Sequence, residues 1–382
     1  MKIKHFFIMF FGLSRETLNN TVCDTQRFIS IASILCVLLL GCALPATSSE
    51  DRPKHHVDDG FQNYPVTPTP PSLGIGFYLR RVWSSFFLPD VPDNHYLSEE
   101  QAISQFQALK NKNTLTWIGQ STFLLRLEGK TILTDPFFSE YAGPYSMGPR
   151  RFVKPGISAK NLPLIDVIII SHNHYDHLDE TLVEALPNKK DIHVFVPLKL
   201  KTFFIERGYV HVYELDWYES SSVYDLQITA LPTVHYSGRG TSDKNRTLWC
   251  SWSIESLSGR YYFAGDTAYS PILFKDIGKK FNTFDLAMLS IGTYGNKRYG
   301  VDNHTTPEEA IKLGIDVGAN IFAGMHWGTI EMSDEPPWEP PQRFEKAAQN
   351  AEISSERVWI LKVGETRELP SGRTDKEPLS EN

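Results

Sequence analysis

Short apolar runs separated by polar turns dominate the chain from residue 114 onward. Runs of this kind predict strands, here at 114–118, 122–127 and 130–134, the last two joined through Glu128-Gly129. The run DVIII at 166–170, bounded by polar residues, predicts a strand buried on both faces. Further strands are expected at 193–196, 226–231, 248–254, 260–264 and 286–291. Helical spacing predicts helices at 178–186, 271–280, 307–315 and 342–350. Thr306-Pro307-Glu308-Glu309 marks a helix start, with proline first and acids in the first turn. Strands followed by mixed strands and helices, repeated in a second half, predict two sheets with helices outside.

The N-terminal pattern differs. Residues 28–40, FISIASILCVLLL after Arg27, form one unbroken apolar run. It is shorter than the roughly 20 residues that span a bilayer and fits the core of a secretory signal. An uncleaved anchor or a buried helix is the competing reading. The run ends in Leu39-Leu40-Gly41-Cys42, which resembles a bacterial lipobox. That resemblance implies a signal peptide over 1–41 and lipidation of Cys42. With Ala43 rather than aspartate next, it implies an outer-membrane lipoprotein of the bacterial envelope facing the periplasm. Residues 42–75 are polar and rich in Pro, Ser and Thr, the composition of a flexible tether. Residues 76–113 open with an aromatic, arginine-bearing stretch suited to a lipid interface or to packing on the domain. The domain is expected over 114–365, with a polar tail over 366–382.

Of 382 residues 41% are hydrophobic, enough for a sizeable core. A formal charge of -7 weighs against a general nucleic-acid binder, so no nucleic-acid partner is expected. The four cysteines, at 23, 36, 42 and 250, contain no CxxC pair. Removal of the signal would leave two, which excludes a disulfide framework.

The chemistry is concentrated in SHNHYDHLD, directly after the buried strand. Alternate positions of an extended segment face one way, so His172 and His174 can bind one ion, while Asp176 and His177 reach a second. Imidazole and carboxylate suit zinc, with iron or manganese as alternatives. His235, Asp266 and His326 each follow an apolar strand, and each would project from one end of a sheet.

HxHxDH, a distant histidine, a G-D-T aspartate and a final histidine resemble the metallo-β-lactamase superfamily. More narrowly, the chain is similar to the N-acyl-phosphatidylethanolamine-hydrolysing phospholipases D, through WIGQSTFLL, ILTDPFFS, MGPRRF, ISHNHYDHLD, ELDWYE, LWCSWS, YYFAGDTAYSP, FDLAMLSIGTY, HTTPEEA and HWGT. The resemblance spans roughly 114–365. It implies an α/β (α+β) αββα sandwich, two mixed sheets flanked by helices, and two zinc ions per chain. His172, His174 and His235 would hold one ion and Asp176, His177 and His326 the other, with Asp266 bridging. It further implies a phospholipid substrate, cleaved to N-acylethanolamine and phosphatidic acid at a bacterial membrane surface reached through the lipid anchor.

Asp135 either orients a ligand histidine from behind or forms the turn before Pro136. The resemblance places His304 in the active site, as phosphate contact or proton donor, with Asp176 as the other catalytic candidate. Asn303 stands where relatives carry glutamine. Arg150 and Arg151 are candidates for attracting an anionic headgroup, while His193 and His211 read as structural. A lactonase or another metal-dependent hydrolase on the same scaffold is the rival function, and a non-catalytic zinc-binding envelope lipoprotein the rival of another class. Nothing in the chain fixes its oligomeric state.

Overall fold

Two seven-stranded sheets, each built from one half of the domain, carry the architecture. The computed structural model describes residues 52–67, 76, 83, 86–299 and 302–370. The chain separates into two units, Met1–Pro53 and Lys54–Asn382, and both large sheets belong to the second. Cys42 and the run at 28–40 lie outside the described residues. Among the described residues no helix is long and apolar enough to cross a membrane.

A hairpin of β1 (His56–Val57) and β2 (Gly60–Phe61) comes first, then α1 (Glu99–Ala108). The first large sheet takes β3 (Thr114–Gly119), β4 (Thr122–Leu127), β5 (Lys130–Thr134), β6 (Val167–Ile169), β7 (His193–Pro197) and β8 (His211–Leu215), with α2 (Glu180–Ala185) and α3 (Lys201–Ile205) between its later strands. β3 to β5 pair antiparallel and β5 to β8 parallel. The second sheet takes β9 (Ser220–Val223), β10 (Leu226–Leu231), β11 (Ser251–Ser256), β12 (Arg260–Phe263), β13 (Phe284–Ser290), β14 (Ala319–Met325) and β15 (Val358–Trp359). It runs antiparallel to β12 and parallel from there on. Helices α4 (Pro271–Phe281), α5 (Pro307–Asp316) and α6 (Glu339–Asn350) accompany it, and β16 (Thr366–Glu368) returns to pair with β3.

Strand alternation explains the layering. Phe123, Leu125 and Leu127 join a core shared with Ile228, Ile254, Phe263 and Met288 of the other sheet. Leu124, between them, faces Phe106 of α1 and the outer core that also holds Leu182, Val183 and Phe204. Both faces of the first sheet are therefore covered, which is why its strands read as continuous apolar runs. On the other side Phe274, Ala310, Ile311 and Phe344 bring α4, α5 and α6 onto the second sheet. The result is the expected αββα sandwich with two mixed sheets.

Two boundaries need correction. Residues 54–67 fell in the expected tether, yet the hairpin is packed: Phe61 is buried against Leu248 and Trp249. The expected polar tail begins at 366, yet Thr366–Glu368 is a strand whose Thr366 hydroxyl meets that of Thr116 at 2.9 Å. Both segments are locally polar and owe their order to distant partners.

Candidate metal centre

The chain leaves the parallel strands at one end of each sheet, where ligands commonly collect in open α/β structures. Asp135 follows β5, the segment 171–179 follows β6, Asp266 follows β12 and His326 follows β14. Gly265 lets the two sheets meet there. Its φ is +56°, and a Cβ would lie 2.5 Å from Cβ of Ser171, so a side chain at this point would push the Asp266 loop away.

All seven side chains expected as ligands converge. His172, His174, His235 and Asp266 form one group; Asp176, His177, Asp266 and His326 form the other; Asp266 belongs to both. Nε2 of His172 lies 2.8 Å from Nδ1 of His174, which is 3.3 Å from Nε2 of His235. In the second group Nε2 of His177 and of His326 are 3.3 Å apart, and each is 3.2 Å from Oδ2 of Asp176. Oδ2 of Asp266 is 3.1 Å from His177 Nε2, and its Oδ1 is 3.2 Å from His326 Nε2.

The donor set fits divalent cations. Four of the five histidines use their outer nitrogen elsewhere and so turn a lone pair inward. His172 Nδ1 bonds the Ser171 hydroxyl (2.8 Å), His177 Nδ1 the Asp135 carboxylate (2.7 Å), His235 Nδ1 the Asn303 carbonyl (3.0 Å) and His326 Nδ1 the Thr293 hydroxyl (3.2 Å). Such outer bonds fix tautomer and ring orientation in metal sites. Burial drives the pKa of His174 down to about 3 and that of His235 to about 4, so both rings are neutral near pH 7. For Asp266, burial alone would raise the pKa, but His177 and His326 outweigh it and hold it well below the usual range. For His326, burial alone would lower the pKa, but Asp266 and Asp176 outweigh it and lift it to about 9. A cation in this group would replace that proton.

Asp135 is placed behind both groups. Its Oδ2 accepts from His177 Nδ1 and from the Ser171 hydroxyl, which in turn accepts from His172, so one carboxylate backs both groups. His304 lies within the site, its ring 5.2 Å from that of His326 and 5.3 Å from that of His235. Its buried Nδ1 has no hydrogen-bond partner and sits 3.7 Å from Oδ2 of Asp266. His193 and His211 stack on one another at 4.7 Å in β7 and β8, as structural residues.

Arg151 departs from expectation. It is buried and donates to the carbonyls of Phe137, Ser139 and Val153, so it braces a loop. Arg150 pairs with Glu140.

Three contributors went unassigned in the sequence. Gln120 donates from Nε2 to Oδ2 of Asp176 at 3.0 Å, and its buried Oε1 has no hydrogen-bond partner. Arg239 donates to the carbonyls of Asn173 and Leu178 and lies over the Tyr175 ring, clasping the ligand segment. Glu335 accepts from the Thr293 amide behind His326. WIGQSTFLL was visible as a matched stretch, but an amide at its fourth position gave no hint of an acidic partner. A groove of about 690 Å³, lined by Tyr141, Tyr145, Tyr175, Leu178 and Arg239 among others, reaches the ligand segment at Tyr175.

Comparison with known proteins adds a family. The Beta-lactamase superfamily domain matches residues 130–327. Among similar proteins, an uncharacterized protein of Mycobacterium tuberculosis is 37% identical over 246 residues, 63% of this chain and 65% of that one. N-acyl-phosphatidylethanolamine-hydrolyzing phospholipase D 1 of Caenorhabditis elegans is 38% identical over 57% of this chain and 64% of its own length. The mitochondrial enzyme of the same name from Saccharomyces cerevisiae is 35% identical over 66% of this chain and 55% of its own. The chain thus spans less than two thirds of each of these relatives. Among solved structures, a possible metal-dependent hydrolase from Veillonella parvula shares the fold at TM-score 0.53 and 18% identity, over 68% of this chain and all of that one.

Proposed function

The chain belongs to the beta-lactamase superfamily; from that premise we propose that it is a metal-dependent hydrolase, a binuclear zinc phosphodiesterase that hydrolyses N-acyl-phosphatidylethanolamine-type phospholipids to phosphatidic acid and N-acylethanolamine. The observation that carries the reading is the pair of buried ligand groups sharing Asp266, in a chain 35–38% identical to two enzymes named for that lipid.

His172, His174, His235 and Asp266 would hold one ion, and Asp176, His177, His326 and Asp266 the other. When bound, such a pair supplies Lewis acidity toward a phosphoryl oxygen and makes water a stronger acid. The protein does the rest. Asp135 holds His172, through Ser171, and His177 in ligating orientation. Gln120 fixes the Asp176 carboxylate. Burial keeps the His304 ring neutral, its pKa well below 6.5, so its unpartnered Nδ1 can exchange a proton with a reacting group. Water adds to phosphorus, the bond from phosphorus to the ethanolamine oxygen breaks, and that oxygen takes up a proton. A lipid anchor at Cys42 in the outer membrane, facing the periplasm, would confine enzyme and lipid to one surface.

The test is incubation of zinc-loaded protein with N-acyl-phosphatidylethanolamine vesicles in ¹⁸O-water, with products read by mass spectrometry. Label in phosphatidic acid is expected, together with two zinc ions per chain. His326→Ala should abolish turnover and lower zinc content. Wild-type protein that carries zinc but leaves the lipid intact, while opening water-soluble lactones, would transfer the assignment to the lactonase reading.

A further inference from the structure

The hairpin at 54–67 lies outside the stretch matched by the superfamily, yet it touches the metal centre. Both side-chain polar groups of Asn63 serve one ligand residue. Its Oδ1 accepts from the His235 amide (3.1 Å) and from Trp249 Nε1 (3.0 Å), and its Nδ2 donates to the His235 carbonyl (3.0 Å). His235 lies outside the named strands, and among the described residues its neighbour Val234 makes an isolated bridge to Ala268 rather than a ladder. The Asn63 clamp therefore satisfies both backbone groups of a residue whose side chain must be aimed to within a fraction of an ångström.

A hairpin with two-residue strands cannot hold its own shape, so its attachment decides whether Asn63 is in place. His55 and His56 meet separate oxygens of Asp216 at 2.6 and 2.7 Å, and His55 stacks on Trp217 at 4.1 Å. The Trp217 amide also donates to Asp216 Oδ1. This His-His-Asp cluster fastens the hairpin to the turn at Asp216 and Trp217. Phe61, buried on Leu248 and Trp249, adds an apolar anchor.

We propose that Asn63 is a positioning residue for the His172–His174–His235 group, and that the 54–67 hairpin is a working part of the metal centre. The inference rests on the binuclear reading of the site. It is tested on the full chain by zinc titration against a competing chelator, with amide hydrogen exchange read at His235. In Asn63→Ala, one of the two ions should bind about 10- to 100-fold more weakly, the size of loss seen when a ligand's supporting bond is removed. The other ion should be unaffected, the His235 amide should exchange faster, and kcat should fall with KM little changed. Asn63→Asp keeps the acceptor, so the His235 amide should stay protected while the bond to its carbonyl is lost and zinc is held with intermediate strength. Asp59→Ala, on the same hairpin with an exposed side chain, should match wild type.

Wild-type zinc retention and wild-type His235 exchange in Asn63→Ala would overturn the proposal. Should the alanine variant fail to fold, release of both ions equally, or of neither, from Asn63→Asp overturns it instead. Wild-type protein that binds no ion pair would defeat the binuclear reading itself, a separate result.

Discussion

Oδ2 of Asp135 lies 2.7 Å from Nδ1 of His177, with both side chains fully buried. The same carboxylate takes the Ser171 amide and hydroxyl, so three donors converge on it. In Asp135→Asn an amide N–H would confront at least one of those donors, leaving a buried group unpaired. Zinc affinity should fall about 10- to 100-fold, and loss of the buried bond should destabilise the fold by roughly 1–3 kcal/mol. Chelator titration and urea unfolding measure the two effects separately. Unchanged zinc affinity would make Asp135 merely a turn residue.

His95 carries a pH dependence. It is enclosed by the rings of Trp117, Trp327 and Trp338 and donates from Nε2 to the carbonyl of Gly328, two residues past a ligand. Burial lowers its pKa from 6.5 to about 4 in spite of that bond. Between those values the unfolded chain binds the proton that the fold resists, so stability falls as pH falls. The neutral ring's contribution is complete above pH 6.5 and gone below about pH 4. The window corresponds to about 3 kcal/mol. His95→Gln, compared with wild type by urea unfolding of metal-free protein, should show a flatter stability profile between pH 6.5 and 4. An identical slope would contradict the assignment.

Gly314 in α5 sits where the helix meets β14. A Cβ there would lie 2.4 Å from two ring atoms of Phe322, which is itself buried, and 3.1 Å from a methyl of Leu289. Gly314→Ala should therefore destabilise by about 1–3 kcal/mol through overpacking, despite alanine's better helix propensity. The urea midpoint should drop while zinc content stays at the wild-type value. A raised midpoint would mean that the helix can shift outward freely.

The seven converging side chains were legible in the sequence because each lies in a polar segment that follows an apolar strand buried in the sandwich. The strands at 122–127, 130–134 and 226–231 were legible to the residue for the same reason. Elements built on remote partners were not. Asn63 sits in a polar, proline-flanked stretch, and its partner lies 172 positions away. Gln120 adopts a positive φ of 54° beside Gly119, a conformation that no local pattern forecasts. The headgroup role considered for Arg151 rested on charge alone, whereas three backbone carbonyls claim the guanidinium. Periodicity reports burial by neighbouring layers; it is silent on which distant loop completes a coordination group.

β16 joins the outer edge of β3, so the domain's first large sheet is finished by nearly the last residues described. During synthesis, β3 must wait until the 250 positions between Thr116 and Thr366 have been made before that flank is covered. Until then a nascent strand offers unpaired amides and carbonyls to other chains. Closure of this sheet is thus a late event in folding, with one flank of β3 left open until β16 arrives.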